Sequence, residues 1–156
     1  MDKEKKQFQI IRLREQDAID AVLRTCDDAF ADRPITKRDN YPQLLSKFST
    51  YACFFAAVSP EPMGYAAIYA NDTENRTAFF SLLAVRPKYQ GLHIGSELMD
   101  TVLRYARECA MDTVRLEVRR DNLSAIRMYR KFGFLEEPET TAQSIFMRRS
   151  LCDYER

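Results

Sequence analysis

A chain of 156 residues has the length of one ordinary domain and can bury most of its apolar core surface without staples. Its 24 lysines and arginines face 23 acidic residues, a formal charge of +1, which excludes a global attraction to nucleic acid or an anionic membrane and leaves charge recognition to local clusters. Cys26, Cys53, Cys109 and Cys152 lack the paired spacing of a metal site and the density of a secreted disulfide framework, so they read as reduced, mostly buried thiols.

Taken in order, the chain begins with a charged cluster, Met1-Asp2-Lys3-Glu4-Lys5-Lys6, with no apolar segment behind it. No secretory signal is expected, and the longest apolar run, residues 52–58, is too short to cross a bilayer, so the expected location is the cytoplasm. Residues 8–13 read as an opening strand. Ile19, Val22, Leu23, Cys26 and Phe30 then recur at helical spacing, with Asp17 near the start where a carboxylate suits the helix dipole. Residues 31–40 are polar, contain Pro34 and read as a loop. A shorter helix follows, with Pro42 in its first turn and Leu44, Leu45 and Phe48 on one face.

Residues 51–58 and 63–70 read as strands joined by the breaker cluster Ser59-Pro60-Glu61-Pro62, and the polar turn at 71–75 leads to a third strand over 76–85. Three strands joined by tight turns make an antiparallel meander. Beyond it Ile94, Leu98, Met99, Val102, Leu103, Ala106 and Ala110 form the apolar stripe of a long helix ending near Met111 and Asp112. Residues 113–118 alternate, with Val114, Leu116 and Val118 on one side and Arg115 and Glu117 on the other. Strand, helix and strand in that order predict a parallel pair. Asn122 caps a helix that Gly133 stops, residues 136–141 read as an acidic loop, and residues 144–151 form the closing strand. The class is α+β, with a mixed, mainly antiparallel sheet and no linker or repeat to divide it.

The stretch Leu83-Ala84-Val85-Arg86-Pro87-Lys88-Tyr89-Gln90-Gly91-Leu92-His93-Ile94-Gly95-Ser96 runs from an apolar strand through a glycine-bearing turn into the long helix. Such a turn presents backbone N–H groups, and the unpaired donors of a helix's first turn favour an anion. A P-loop is not supported, because the Gly-Lys-Ser/Thr ending is missing. A dinucleotide loop is not supported either, since only Gly91 and Gly95 are present and the preceding strands form a meander. A coenzyme A pyrophosphate loop and a merely structural strand-to-helix turn remain open on the residues alone.

The order of motifs resembles the GCN5-related N-acetyltransferases (GNAT) over nearly the whole chain. The signature Gln/Arg-x-x-Gly-x-Gly/Ala falls on Gln90-Gly91-Leu92-His93-Ile94-Gly95, with His93 at the central glycine. Leu83-Ala84-Val85-x-Pro87 and Asn122-x-x-Ala125-x-x-x-Tyr129-x-x-x-Gly133-Phe134 also fit. The resemblance implies one N-acetyltransferase domain over residues 1–156, a GNAT fold of about six to seven strands and about four helices with a splayed parallel pair, and acetyl-CoA as cosubstrate. It implies that the pantetheine arm pairs with strand edges around Leu83, Ala84 and Val85, that Gln90, Gly91, Leu92, His93, Ile94, Gly95 and Ser96 hold the pyrophosphate, with Arg86 or Lys88 adding charge, and that Asn122, Ala125 and Tyr129 complete the cofactor site.

Acetyl transfer needs a neutral amine, an oxyanion donor and a proton for the thiolate. The resemblance makes Tyr129 the acid, where spacing alone also permits a core tyrosine beside Ile126. Glu117 is the candidate base, directly or through water; paired with Arg115 or Arg119 it is a surface glutamate instead. The run Leu116-Glu117-Val118-Arg119-x-x-Asn122 is similar to acetyltransferases of ribosomal protein N-termini. A backbone N–H near Leu83 is the candidate oxyanion donor. His93, the single histidine, either contacts phosphate or covers the turn, and no metal is indicated.

The acceptor side implied by the family draws on Phe30, Arg33, Lys37, Arg38, Asp39 and Tyr41, and on Glu136, Glu137 and Glu139, which are read either as attracting a cationic amine or as a solvated loop. A small-molecule amine is the expected acceptor, with a peptide N-terminus or lysine as the alternative and a non-catalytic acyl-CoA sensor as a third reading. Neither nucleic acid nor membrane is an expected partner, and a homodimer is left open.

Overall fold

The computed structural model describes residues 7–152, so the charged cluster formed by the first six residues lies outside the described part. Seven strands, β1 (Gln9–Leu13), β2 (Cys53–Val58), β3 (Pro62–Tyr69), β4 (Thr77–Val85), β5 (Thr113–Arg119), β6 (Leu135–Thr140) and β7 (Ser144–Ser150), form one sheet in the order β1-β2-β3-β4-β5-β7-β6. Four α-helices accompany them, α1 (Gln16–Thr25), α2 (Tyr41–Thr50), α3 (Ile94–Glu108) and α4 (Leu123–Lys131). β1 with β2, β5 with β7 and β6 with β7 are antiparallel, whereas β4 and β5 are parallel, as the strand-helix-strand order requires. The parallel register runs from Thr77↔Thr113 to Phe80↔Leu116, and β4 itself continues to Val85. Two compact units can be distinguished, Met1–Ala67 with Leu82–Asp100, and Ile68–Ser81 with Thr101–Arg156.

In the first unit, α1 buries Ile19, Val22 and Leu23 at helical spacing, with Asp17 in its first turn and Arg24 in its last, where each charge suits the dipole. The helical repeat predicted as far as Phe30 tightens after Thr25 into a 3₁₀ helix, Cys26–Phe30. A second 3₁₀ helix, Ile35–Lys37, lies inside the segment expected to be a loop. Local pattern concealed it because its anchors are long-range. Ile35 is fully buried, and the Asp27 carboxylate accepts hydrogen bonds from the Thr36 amide (3.2 Å) and hydroxyl. α2 begins as expected, with Pro42 where a missing N–H costs nothing. The core beneath is aromatic: Phe54 stacks on Tyr65 with ring centroids 5.2 Å apart and tilts against Phe48 at 5.8 Å.

In the second unit, β5 alternates as predicted, burying Val114, Leu116 and Val118. The Asn122 side chain accepts from the Ala125 amide at 3.3 Å and so caps α4. That helix ends in a paired-bond C-cap: the Gly133 N–H donates to Arg130 and the Phe134 N–H to Tyr129, with Gly133 at φ +89°. α3 ends the same way, since Ala110 N–H donates to Arg107 and Met111 N–H to Ala106. Here the left-handed residue is Ala110, at φ 62°, so the predicted stripe overran the helix, which stops at Glu108. A β-carbon in that conformation is strained by about 1 kcal/mol. Ala110→Gly is therefore expected to raise stability by about 0.5–1 kcal/mol, read as a higher urea midpoint at unchanged slope.

The segment read as an acidic loop, residues 136–141, belongs largely to β6, the last strand in the sheet order. Three acidic residues and Pro138 argue against a strand locally, but an edge strand tolerates both, and the register shifts between Glu136 and Thr140. Glu137, 9% exposed, is the residue that fixes it. Its carboxylate accepts from Arg115 Nε at 2.7 Å and Nη2 at 2.9 Å, with Arg148 Nη1 at 3.9 Å. The Arg115 hydrogen bonds, working against burial, hold the Glu137 carboxyl below the usual carboxylate range. A depressed carboxyl contributes stability above its unfolded pKa and loses it as pH falls through the folded value. Glu137→Gln should thus cost about 2 kcal/mol near pH 7, and the gap to the wild type should close in acid, as urea unfolding at the two pH values will show.

Candidate functional site

The end of β4 and the glycine turn lie in the first unit. Ala84 is buried, with Leu83 and Val85 half-buried on either side, and the strand leads into a 3₁₀ turn, Pro87–Tyr89. Gln90, Gly91, Leu92 and His93 are exposed, and Gln90 Nε2 donates to the Val85 carbonyl at 3.4 Å. Gly91 has φ 87° and His93 φ 65°, so the backbone takes the left-handed conformation at the very position where a histidine replaces the expected glycine. Histidine is among the side chains that tolerate it, at a cost of the order of 1 kcal/mol. The His93 carbonyl then accepts from the Glu97 N–H at 3.1 Å and starts α3. Ile94 faces the core while Gly95 and Ser96 occupy the first turn, whose leading N–H groups have no partner within the helix. The arrangement suits an anion.

Arg86 does not extend that site. Its side chain is only 14% exposed and is committed elsewhere: Nε to Asp28 at 3.1 and 3.2 Å, Nη1 to the Pro62 carbonyl at 3.3 Å and to Glu61 at 3.4 Å. Glu61 also accepts from Lys88 at 3.1 Å and from the Tyr89 hydroxyl, and the hydrogen bond from Tyr89, then that from Lys88, holds its carboxyl below the usual range. The Arg86 and Lys88 charges lie over the Tyr89 ring at 5.7 and 5.2 Å. Asp28 and Glu61 were not singled out by the sequence, for nothing in its spacing joins them to Arg86. Gly64 was missed as well. A β-carbon there would sit 2.5 Å from the Ala84 carbonyl oxygen, so the glycine permits the close approach of β4, and an isolated glycine inside an apolar strand was the available signal.

In the second unit, Asn122, Ala125 and Tyr129 fall on one face of α4 at spacings of three and four. Tyr129 is half-buried and held by its ring, edge-on to Phe80 at 6.3 Å and tilted against Phe134 at 5.9 Å. Phe134 reaches it through the Gly133 cap, so the helix stop also seats the tyrosine. Its hydroxyl makes no hydrogen bond among the described residues, and burial pushes its pKa up to about 12. Glu117 is exposed on β5 opposite Phe146. The partners that would make it a surface glutamate are taken, Arg115 by Glu137 and Arg119 by Asp121 at 3.3 Å, and no described residue pairs with it.

The acceptor-side candidates divide. Tyr41 is buried and donates to Asp20, which also pairs with Arg24. Phe30 packs beneath the Arg38 guanidinium at 6.0 Å. Arg33, Lys37 and Asp39 are exposed. Glu137 is neutralised within the sheet and Glu136 pairs with Arg130 at 3.5 Å, which leaves Glu139 exposed and weakens the idea of three glutamates acting together on a cation. Cys26, Cys53, Cys109 and Cys152 form no disulfide among the described residues, and burial drives the Cys26 thiol up to about 12. Among the described residues no helix is long and apolar enough to cross a membrane.

A model of the acetyltransferase (GNAT) family matches residues 17–134, a span that includes the glycine turn, Glu117 and the whole of α4. The mycothiol acetyltransferase of Stackebrandtia nassauensis is 43% identical over 53 residues, 34% of this chain and 17% of that protein. N-alpha-acetyltransferase 30 of Xenopus laevis is 32% identical over 101 residues, 63% of this chain and 34% of that protein. The chain therefore matches only about a sixth to a third of these curated relatives' lengths. The PaiA N-acetyltransferase of Thermoplasma acidophilum, solved with coenzyme A, has the same fold at a TM-score of 0.69 and 15% identity, over 91% of this chain and 99% of that one. With a family model covering most of its length and the sheet order and glycine turn in place, the chain belongs to the acetyltransferase (GNAT) family.

Proposed function

We propose that the protein is an acetyl-CoA-dependent N-acetyltransferase, residues 1–156 acting as one domain, that acetylates the primary amine of a small molecule. The observation that carries this reading is the turn at Gln90–Ser96. It keeps a non-glycine residue in a strained left-handed conformation in order to open α3 with its first N–H groups unpaired, which is an anion cradle suited to a pyrophosphate.

In the reaction the amine nitrogen attacks the thioester carbonyl carbon, and a backbone N–H near Leu83 stabilises the oxyanion. The intermediate collapses with cleavage of the C–S bond. Glu117, directly or through water, takes the proton from nitrogen, a role supported by its lack of any ion pair among the described residues. The Tyr129 hydroxyl serves the departing sulfur, a role supported by its lack of any competing hydrogen bond. A small acceptor is preferred over a basic peptide because the glutamates of β6 are largely spent on arginines and supply no acidic groove.

Incubation with acetyl-CoA and a panel of amino acids, amino sugars, polyamines and short peptides, followed by thiol release and product mass, tests the reading. One small-amine class should yield a product 42 Da heavier, about the mass an acetyl group adds, with stoichiometric free CoA. Tight acetyl-CoA binding without turnover on any amine would make the protein a sensor instead, and turnover confined to peptides would move the acceptor to the protein class.

A further inference from the structure

The loop that follows the first 3₁₀ helix surrounds an open depression of ≈ 530 Å³, with Asp32, Arg33, Lys37, Arg38, Asp39 and Asn40 in its lining. Three cations, Arg33, Lys37 and Arg38, fall within six residues of this lining. Arginines 24, 76, 86, 115, 119, 130 and 148 all pair with carboxylates, whereas no described residue forms an ion pair with Arg33, Lys37 or Arg38. Asp32 and Asp39 are likewise without an ion pair among the described residues, and the lining has a formal excess of one positive charge, which matches a monoanion.

Beneath the depression the polar groups are incompletely satisfied. Arg38 donates through Nη2 to the Arg33 carbonyl at 3.1 Å, but its Nε is sealed from solvent without an acceptor. The Tyr65 hydroxyl, on a fully buried residue, also lacks a partner among the described residues, and burial raises its pKa. The exposed Arg33 guanidinium, with no ion pair among the described residues, can offer a planar oxyanion two parallel N–H bonds, with the exposed Lys37 as a second charge.

The depression is also tied to the glycine turn through two adjacent aspartates. Asp27 holds Thr36, which precedes the lining residue Lys37 in the chain, while Asp28 holds Arg86, which begins the segment leading to Gln90. All these residues lie in the first unit.

We propose that this depression binds the carboxylate of the acceptor, so that the acetylated amine belongs to an amino acid or a related amino-carboxylic acid. The link to an acceptor rests on the acetyl-transfer reading; the anion site itself does not.

The test uses products, which bind without turnover. A set of N-acetyl amino acids and the matching N-acetyl amino-acid amides is titrated into the ¹⁵N-labelled full chain, alone and with CoA. The expected result is saturable amide shifts within residues 32–40 for at least one acid, about tenfold or more weaker for its amide. Arg33→Gln with Lys37→Gln, both at exposed positions, should weaken the acid by a similar factor and leave the amide's binding unchanged; Arg38→Gln should do the same where it folds. Absence of shifts in that loop for every acid, or equal shifts from acid and amide, overturns the proposal. CoA titrated separately reports on the cofactor reading: CoA shifts in residues 90–96 with no acid-induced shift in 32–40 refute the carboxylate site alone, and acid-induced shifts in 32–40 with no CoA shift in 90–96 refute the cofactor assignment alone.

Discussion

Tyr129→Phe is expected to lower kcat for acetyl transfer by about 10²–10⁴-fold while leaving the unfolding free energy within about 0.5 kcal/mol of the wild type. The two halves of that expectation have separate causes. The ring contacts with Phe80 and Phe134 survive the substitution, and the hydroxyl has no hydrogen bond among the described residues to lose. A phenol at about 12 is a weaker acid than a free thiol near 8.5, so full proton transfer to a relaxed thiolate is uphill by about 5 kcal/mol. On the proposed mechanism the hydroxyl would therefore act as the C–S bond breaks, donating a hydrogen bond to the sulfur while charge builds there. It stays protonated throughout the working range, and an alkaline fall in rate below about pH 11 must come from another group. Single-turnover kinetics with acetyl-CoA and the acceptor decide the matter: an unchanged chemical step removes Tyr129 from the mechanism.

Arg86→Met should act in the opposite pattern, costing about 1–2 kcal/mol of stability and raising KM for acetyl-CoA severalfold with less effect on kcat. Its guanidinium joins Asp28, Glu61 and the Pro62 carbonyl just before the glycine turn, so its loss loosens the entrance of that turn without touching the reacting atoms. The stability term is modest because Asp28 and Glu61 are 45% and 43% exposed and rehydrate when released. Lys88→Met, at a side chain 59% exposed, should change the urea midpoint little. If Arg86→Met raised KM with an unaltered midpoint, the side chain would instead be a phosphate contact.

Residues 113–118 declared a one-sided strand by period two, α1 and α3 declared their buried faces by period 3.6, and Asn122 with Gly133 bracketed α4 because capping depends on neighbours three to five residues away in the chain. The parallel β4–β5 pair followed from connection order, since the intervening helix must return the chain to the same end of the sheet. Glycine-turn residues and Tyr129 could be named for the same reason: their spacing is local.

Other features depended on partners far away in sequence. Residues 135–140 carry three glutamates and a proline and became a strand because Arg115 on β5 and Arg148 on β7 neutralise Glu137. Arg86 looked like a spare cation beside a phosphate loop until Asp28, 58 positions away, and Glu61 claimed it. The left-handed backbone at His93 and Ala110 contradicts the preference of either side chain, and only the continuation of the chain into α3 and β5 enforces it. By itself, then, the sequence determined periodicity, caps, strand direction and the names of the turn and helix residues; the tertiary structure decided which charges are spent and which remain available, because ion-pair partners are chosen by proximity in space, which local spacing does not encode.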